Sequence, residues 1–240
     1  MSIARQMHTQ GATPSFTETR GLPRAQGATP SFTETRDLPR AQGATRIAPC
    51  LADVPATYDI VYADPAWPVT DFGTASARRH YQIMAFDELA ALPVRQIMNG
   101  RAVLFLWATC PRLDMAVDLI RAWGLFYRGV SWVWVKTRAD GQIVHGKGVP
   151  PTLTKPNVEL VLGATTLRRG RPFPILTQAM GQVVLARPTR HSEKPAIFAE
   201  RIVELCGDRP RIELFARQRR LGWDAWGNEV AANGLSEHKM

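Results

Sequence analysis

The order of apolar runs along this chain predicts an α/β fold, a sheet layered by helices. Six short runs rich in β-branched and aromatic residues, each bounded by turn residues, recur from residue 58 onward. Stretches with helical periodicity lie between them, the alternation expected of an α/β sheet with helices on its faces. Size sets the domain count: 240 residues, 45% of them hydrophobic, suffice for one well-cored domain and are thin for two.

The predicted strands are 58–63, 102–107, 130–136, 158–162, 182–186 and 211–216. In Ser131-Trp-Val-Trp-Val-Lys136 the alternation puts both tryptophans on one face and both valines on the other. Between the second and third runs, Pro111–Trp123 carries Leu113, Ala116, Val117 and Ile120 at i, i+3, i+4 and i+7, one face of a helix. Pro195–Cys206 carries Phe198, Ile202 and Leu205 on one stripe, with Pro195 suited to a first helical turn. Phe86–Leu92 is a shorter helix candidate. Residues 68–82 and 137–157 read as long loops, which in compact domains are functional or disordered. The first holds Arg78, Arg79, His80 and Tyr81; the second holds Arg138, His145, Lys147 and Lys155.

The longest apolar run, Ala102–Cys110, has nine residues and is too short to cross a bilayer. The N-terminus lacks the charged-then-apolar pattern of a signal peptide. Cys50, Cys110 and Cys206 are odd in number and scattered, and His8, His80, His145, His191 and His238 form no paired ligand spacing. A cytoplasmic protein without a metal is expected. The net charge of +9 favours a polyanionic partner. Residues 10–25 recur at 26–41 with one change, Gly21 to Asp37, in a unit too polar and too rich in Pro, Gly and Thr to build a core. The expected organisation is therefore a disordered tail over 1–46, a domain over 47–233 and a flexible end over 234–240.

Asp64-Pro65-Ala66-Trp67 follows the first apolar run directly, which puts it beyond the carboxyl end of a strand, where α/β sheets bind ligands. These groups suit a flat heteroaromatic ring that bears an exocyclic amine. The Trp67 indole can stack on such a ring. Asp64 can accept one amine N–H, and the Pro65 carbonyl can accept the other. With both hydrogens held, the nitrogen lone pair turns out of conjugation and toward an electrophile. Asp-Pro is also an ordinary turn opener, so the tetrapeptide alone does not fix a function.

The C-terminal third adds Arg190-His191-Ser192-Glu193-Lys194-Pro195, Arg211-Ile-Glu213-Leu-Phe215-Ala-Arg217 and Gly222-Trp223-Asp-Ala-Trp226-Gly227-Asn228-Glu229. Glu213 and Arg217 can present an acceptor and a donor to a ribose diol, or simply pair with each other. The chain has no Gly-x-Gly-x-x-Gly fingerprint and no Walker loop, which disfavours dinucleotide and triphosphate cofactors.

Taken together, residues 56–230 resemble the DPPW-type N6-adenine methyltransferases, the family that includes the catalytic subunit of eukaryotic mRNA adenosine methyltransferase. The matching segments are Ala63-Asp-Pro-Ala-Trp67, Tyr81 with Met84, Leu104-Phe-Leu-Trp-Ala-Thr109, Trp132-Val-Trp-Val-Lys136, Glu159-Leu-Val-Leu-Gly163, Ser192-Glu-Lys-Pro195, Ile212-Glu-Leu-Phe-Ala-Arg217 and Trp226-Gly-Asn-Glu229. The resemblance implies a Rossmann-like methyltransferase sheet with helices on both faces, in permuted order, using S-adenosylmethionine. It implies that Asp64, Pro65 and Trp67 hold and stack the target base, with Tyr81 and Glu159 beside it. Lys194 with Ser192 would meet the methionine carboxylate; Glu213, Arg217, Asn228 and Glu229 would surround the ribose, and Phe215 would line the pocket. Arg78 and Arg79, with the second basic loop, would hold phosphates. One departure stands out: Ala66 replaces the family's second proline, which relaxes φ and adds an N–H. The implied activity is methylation of the N6 amine of adenine in DNA. The alternatives are RNA adenosine, a catalytically silent nucleic-acid-binding subunit, and the exocyclic amine of cytosine.

Overall fold

The computed structural model describes residues 51–54, 57–67, 84–145, 153–189, 193–228 and 230. The repeat tail, both predicted chain ends, and Arg78, Arg79, Tyr81, Ser192 and Glu229 lie outside the described residues. All that follows concerns the second of the two units into which the chain divides, Thr45–Met240.

Seven strands form one sheet: β1 (Tyr58–Ala63), β2 (Met98–Thr109), β3 (Phe126–Lys136), β4 (Val158–Thr165), β5 (Val183–Ala186), β6 (Arg211–Leu214) and β7 (Asp224–Trp226). The helices are α1 (Phe86–Ala90), α2 (Leu113–Ala122) and α3 (Ile197–Cys206). The strand order is β5-β3-β4-β2-β1-β6-β7. β4 runs antiparallel to both its neighbours, while the other pairs are parallel. The sheet is thus mixed, with one reversed strand between β2 and β3.

β1 is a continuous apolar run because both its faces are covered. Val61 and Ala63 of β1, with Leu104, Leu106 and Ala108 of β2, join Leu89 of α1 and Ala116, Leu119 and Ile120 of α2 in one core. Ile60 and Tyr62, with Phe105, Trp107, Trp132 and Trp134, meet Phe198, Ala199, Ile202 and Cys206 of α3 in the other. Each fully buried large aliphatic or aromatic side chain contributes about 1.5–3 kcal/mol. The Cys206 thiol, pushed up to about 12 by burial, packs as one more small apolar group. Cys110 and Cys206 are both free. Among the described residues, no helix is long and apolar enough to cross a membrane, and no cluster of His, Cys, Asp and Glu could hold a metal.

The elements differ from expectation mainly at their ends. β2 starts four residues early, at Met98, and β3 four residues early, at Phe126. The register of β3 against β4 shifts between Tyr127 and Gly129 and again between Val130 and Trp132, and Gly129 has φ 112°. A bulge opened by that glycine masks the alternation that would have announced the strand. β6 stops at Leu214 instead of residue 216, because Phe215 turns into the left-handed region at φ 61°. Leu113 opens α2 after a short turn over Cys110–Arg112, α3 starts at Ile197, and α1 ends at Ala90. β7 was not expected, being only three residues long.

Candidate active site

The chain runs from β1 to β2 and on to β3 and β5 on one side of the sheet, and returns to place β6 and β7 on the other. β1 and β6 therefore flank the point where strand order reverses, the crevice in which open α/β sheets bind ligands. Ala63 and Leu214 are paired across it, and the Asp64 N–H donates to the Leu214 carbonyl at 3.4 Å. The Asp-Pro-Ala-Trp corner and the exit of β6 thus lie side by side on one edge.

Asp64 is mostly buried there, and Pro65 is fully so. Trp67 packs against the core shared with α2, and its Nε1–H donates to the Trp107 carbonyl at 3.2 Å. That bond fixes the plane of a ring that is still partly exposed. Trp107 is itself tied down, its Nε1–H donating to the Tyr62 hydroxyl at 2.6 Å.

Four charges form a line across the strand ends. Lys194, just before α3, has its Nζ 2.9 Å from Asp64 Oδ2 and 3.3 Å from Glu159 Oε2. Glu159 Oε1 lies 2.6 Å from Lys136 Nζ. Because β4 is reversed, its second residue, Glu159, stands at the same edge as the last residue of β3, Lys136. Each ammonium also sits over an indole, Lys194 at 5.2 Å from the Trp107 ring centre and Lys136 at 4.9 Å from that of Trp134. Such contacts contribute about 0.5–2 kcal/mol, most where water is excluded.

Burial pushes the Asp64 carboxyl above its ordinary value, although Lys194 pulls the other way. Burial also opposes charge on Glu159, but Lys194 and Lys136 together outweigh it, and its carboxyl lies below the usual value. For Lys194 the two carboxylates overcome burial and raise the ammonium's value.

The β6 exit holds a second pair. Glu213 binds Arg220 Nε at 2.8 Å, where the sequence pointed to Arg217. Burial raises the Glu213 carboxyl, with Arg220 opposing. Arg217 acts on Asp64 instead, lowering its value. Phe215 meets the Trp226 ring edge-on at 5.5 Å. A Cβ on Gly227 would come within 2.6 Å of the Ala216 nitrogen, so two backbones touch where the strand turns. Asn228 is exposed on the turn after β7.

The structure thus brings Asp64, Pro65, Trp67, Glu159, Lys194, Glu213 and Phe215 to one edge. Glu159, expected beside the target base, lies at this edge and holds two ammonium groups. Lys136, Trp107 and Arg220 were missed as site residues, although the first two lay within matching segments.

The family model for MT-A70 matches residues 58–229. The chain belongs to the MT-A70 family. It is a methyltransferase of that family, and its fold is the Rossmann-like sheet expected of one. It is 30% identical over 198 residues to the type II methyltransferase M.MunI of a Mycoplasma species, a match covering 74% of this chain and 80% of that protein. It is 25% identical over 185 residues to the human N(6)-adenine-specific methyltransferase METTL4, covering 72% of this chain but 38% of the relative. A third relative is the N6-methyladenosine RNA methyltransferase MTA1 of Cryphonectria parasitica, 24% identical over 183 residues and matched over 52% of its length. The chain thus spans most of the bacterial relative and only part of the two eukaryotic ones.

Proposed function

We propose that this methyltransferase transfers the methyl group of S-adenosylmethionine to the N6 amine of adenine in DNA. The observation that carries the proposal is the corner after β1: a buried carboxylate, a proline carbonyl and a partly exposed indole in fixed orientation, set in the crevice between β1 and β6. Asp64 and the Pro65 carbonyl accept the two amine hydrogens, and Trp67 stacks on the base, an interaction typically worth about 1–3 kcal/mol. The nitrogen then presents its lone pair, and catalysis consists of position and electrostatics. The amine becomes acidic only as it is methylated, so no strong base is required beforehand; Asp64 or water takes the proton afterwards.

The donor set at this edge fits S-adenosylmethionine. Lys194 offers a cation to the methionine carboxylate, Asp64 an anion to its ammonium, and Glu213 and Arg220 acceptor and donor groups to the ribose, while Phe215 and Trp226 form an aromatic wall. The group supplies an electrophilic methyl on a good leaving group. With Ser192 and Glu229 outside the described residues, their proposed places at the carboxylate and the ribose rest on the family's pattern.

DNA is favoured over RNA because the chain spans 80% of the bacterial type II enzyme and no more than about half of the relative named for RNA. A base in duplex DNA must be flipped out, at a cost of a few kcal/mol that pocket contacts return. Incubation with isotopically labelled S-adenosylmethionine and DNA or RNA in parallel, followed by nucleoside digestion and mass spectrometry, tests the proposal. Labelled N6-methyldeoxyadenosine is expected; label in RNA alone, or in cytosine, overturns it.

A further inference from the structure

We infer that the opposite edge of the sheet, where the parallel strands begin, carries a second nucleic-acid contact: an arginine loop that grips duplex phosphates at a distance from the target base. The inference rests on the proposal that the substrate is DNA.

After β4 the chain reads Leu167-Arg168-Arg169-Gly170-Arg171-Pro172, and the three arginines of this loop are exposed. Two further arginines hold the loop in place. Arg128, at the start of β3, donates from Nε to Thr165 Oγ1 at 2.9 Å and from Nη2 to the Leu167 and Gly170 carbonyls at 2.7 and 3.1 Å. Arg101, at the start of β2, donates from Nε to the Pro172 carbonyl at 2.6 Å. Thr166 pins the near end, its backbone and hydroxyl both bonded to Ala102. The six hydrogen bonds tie the end of β4 and this loop to two strands, and the side chains of the loop's own arginines are not used in holding it.

Five guanidinium groups gathered on one edge repel one another, and no ion pair relieves them. Among the described residues, none of the five forms a salt bridge, whereas Arg121, Arg209, Arg211 and Arg220 each pair with a carboxylate. A fixed, uncompensated group is what a polyanion would neutralise, with release of its counterions. Phe126 and Tyr127, 41% and 37% exposed at the same edge, add flat apolar surface suited to the sugars between phosphates.

The spacing suits a duplex. β4 runs from Glu159 at the catalytic edge to Thr165 beside the loop, a rise of about 20 Å. At about 3.4 Å per base pair, a duplex lying along β4 would meet the arginines roughly six base pairs from the flipped adenine.

The test is binding of the full chain to a fluorescent mixed-sequence duplex of about 24 base pairs, followed by anisotropy over roughly 50–300 mM salt. The triple variant R168Q/R169Q/R171Q, which spares Arg101 and Arg128, is expected to lose about tenfold or more in affinity and to flatten the log–log salt slope by about 2–3. The R168K/R169K/R171K variant is expected to keep most of the slope, and methyl transfer at saturating DNA is expected to be unchanged. Equal slopes for the wild type and the Gln variant on DNA overturn the inference, whatever happens on RNA. Should no DNA methylation be found while the slopes still differ, the reaction proposed above fails and this surface stands.

Discussion

At the strand ends, Asp64, Lys194, Glu159 and Lys136 form a line in which every charge meets an opposite one. At the strand starts, Arg101, Arg128, Arg168, Arg169 and Arg171 stand together with no described ion pair among them. The two sets share β3 and β4, which carry Lys136 and Glu159 at one end and Arg128 and the root of the arginine loop at the other. A balanced, partly buried set costs desolvation and returns fixed geometry, whereas an exposed set of one sign returns long-range attraction and little geometry. On the two proposals above, one sheet divides its work between its edges, aligning a base at one and holding a backbone at the other.

Breaking the balanced edge gives the larger effects. Lys194→Met leaves Asp64 and Glu159 facing each other; a stability loss of about 3 kcal/mol is expected. In a domain of this size that lowers the thermal midpoint by about 6–12 °C, measurable by calorimetry. The same variant removes the cation that lowers Asp64, so the acid limb of kcat/KM moves to higher pH. Gly227→Ala forces the turn after β7 away from Ala216 and is expected to cost about 1–3 kcal/mol, with weaker S-adenosylmethionine binding by titration calorimetry.

Glu159→Gln acts in the opposite sense on the pH profile. In the proposed reaction the ionised Asp64 accepts the amine hydrogen, and it is lost as pH falls through its raised value. Glu159 contributes to that rise, so the variant's acid limb moves to lower pH. In stability the sign follows from Glu159's own depressed value: its contribution is complete above the ordinary value near 4.5 and is lost as pH falls through the folded one. The Gln variant's midpoint should therefore converge on the wild type's in acid. Ala66→Pro is the smallest change; kcat/KM is expected to move by less than about fivefold, and loss of activity would show that the turn needs its relaxed φ.

The six long strands and both main helices were legible because their apolar patterns follow burial directly. The reversal of β4 was not, since a buried strand reads the same in either direction, and with it went the meeting of Lys136 with Glu159. Glu213 and Arg217 look like partners at a spacing of four, but that spacing aligns side chains on a helix. Here the left-handed turn at Phe215 ends the strand between them, and Arg220 reaches Glu213 from the loop beyond. The place of the Asp64 corner at a strand end was legible because the apolar run of β1 stops at Ala63. What sets the arginine loop apart is the use of Arg101 and Arg128 as its fastening, which no linear pattern shows.

The most direct test is the single-turnover rate of Asp64→Asn at saturating DNA and S-adenosylmethionine, with both affinities measured on the same preparation. The account predicts a rate lower by roughly 10³-fold, while both affinities stay within about tenfold of the wild type. A rate within tenfold of the wild type would contradict it.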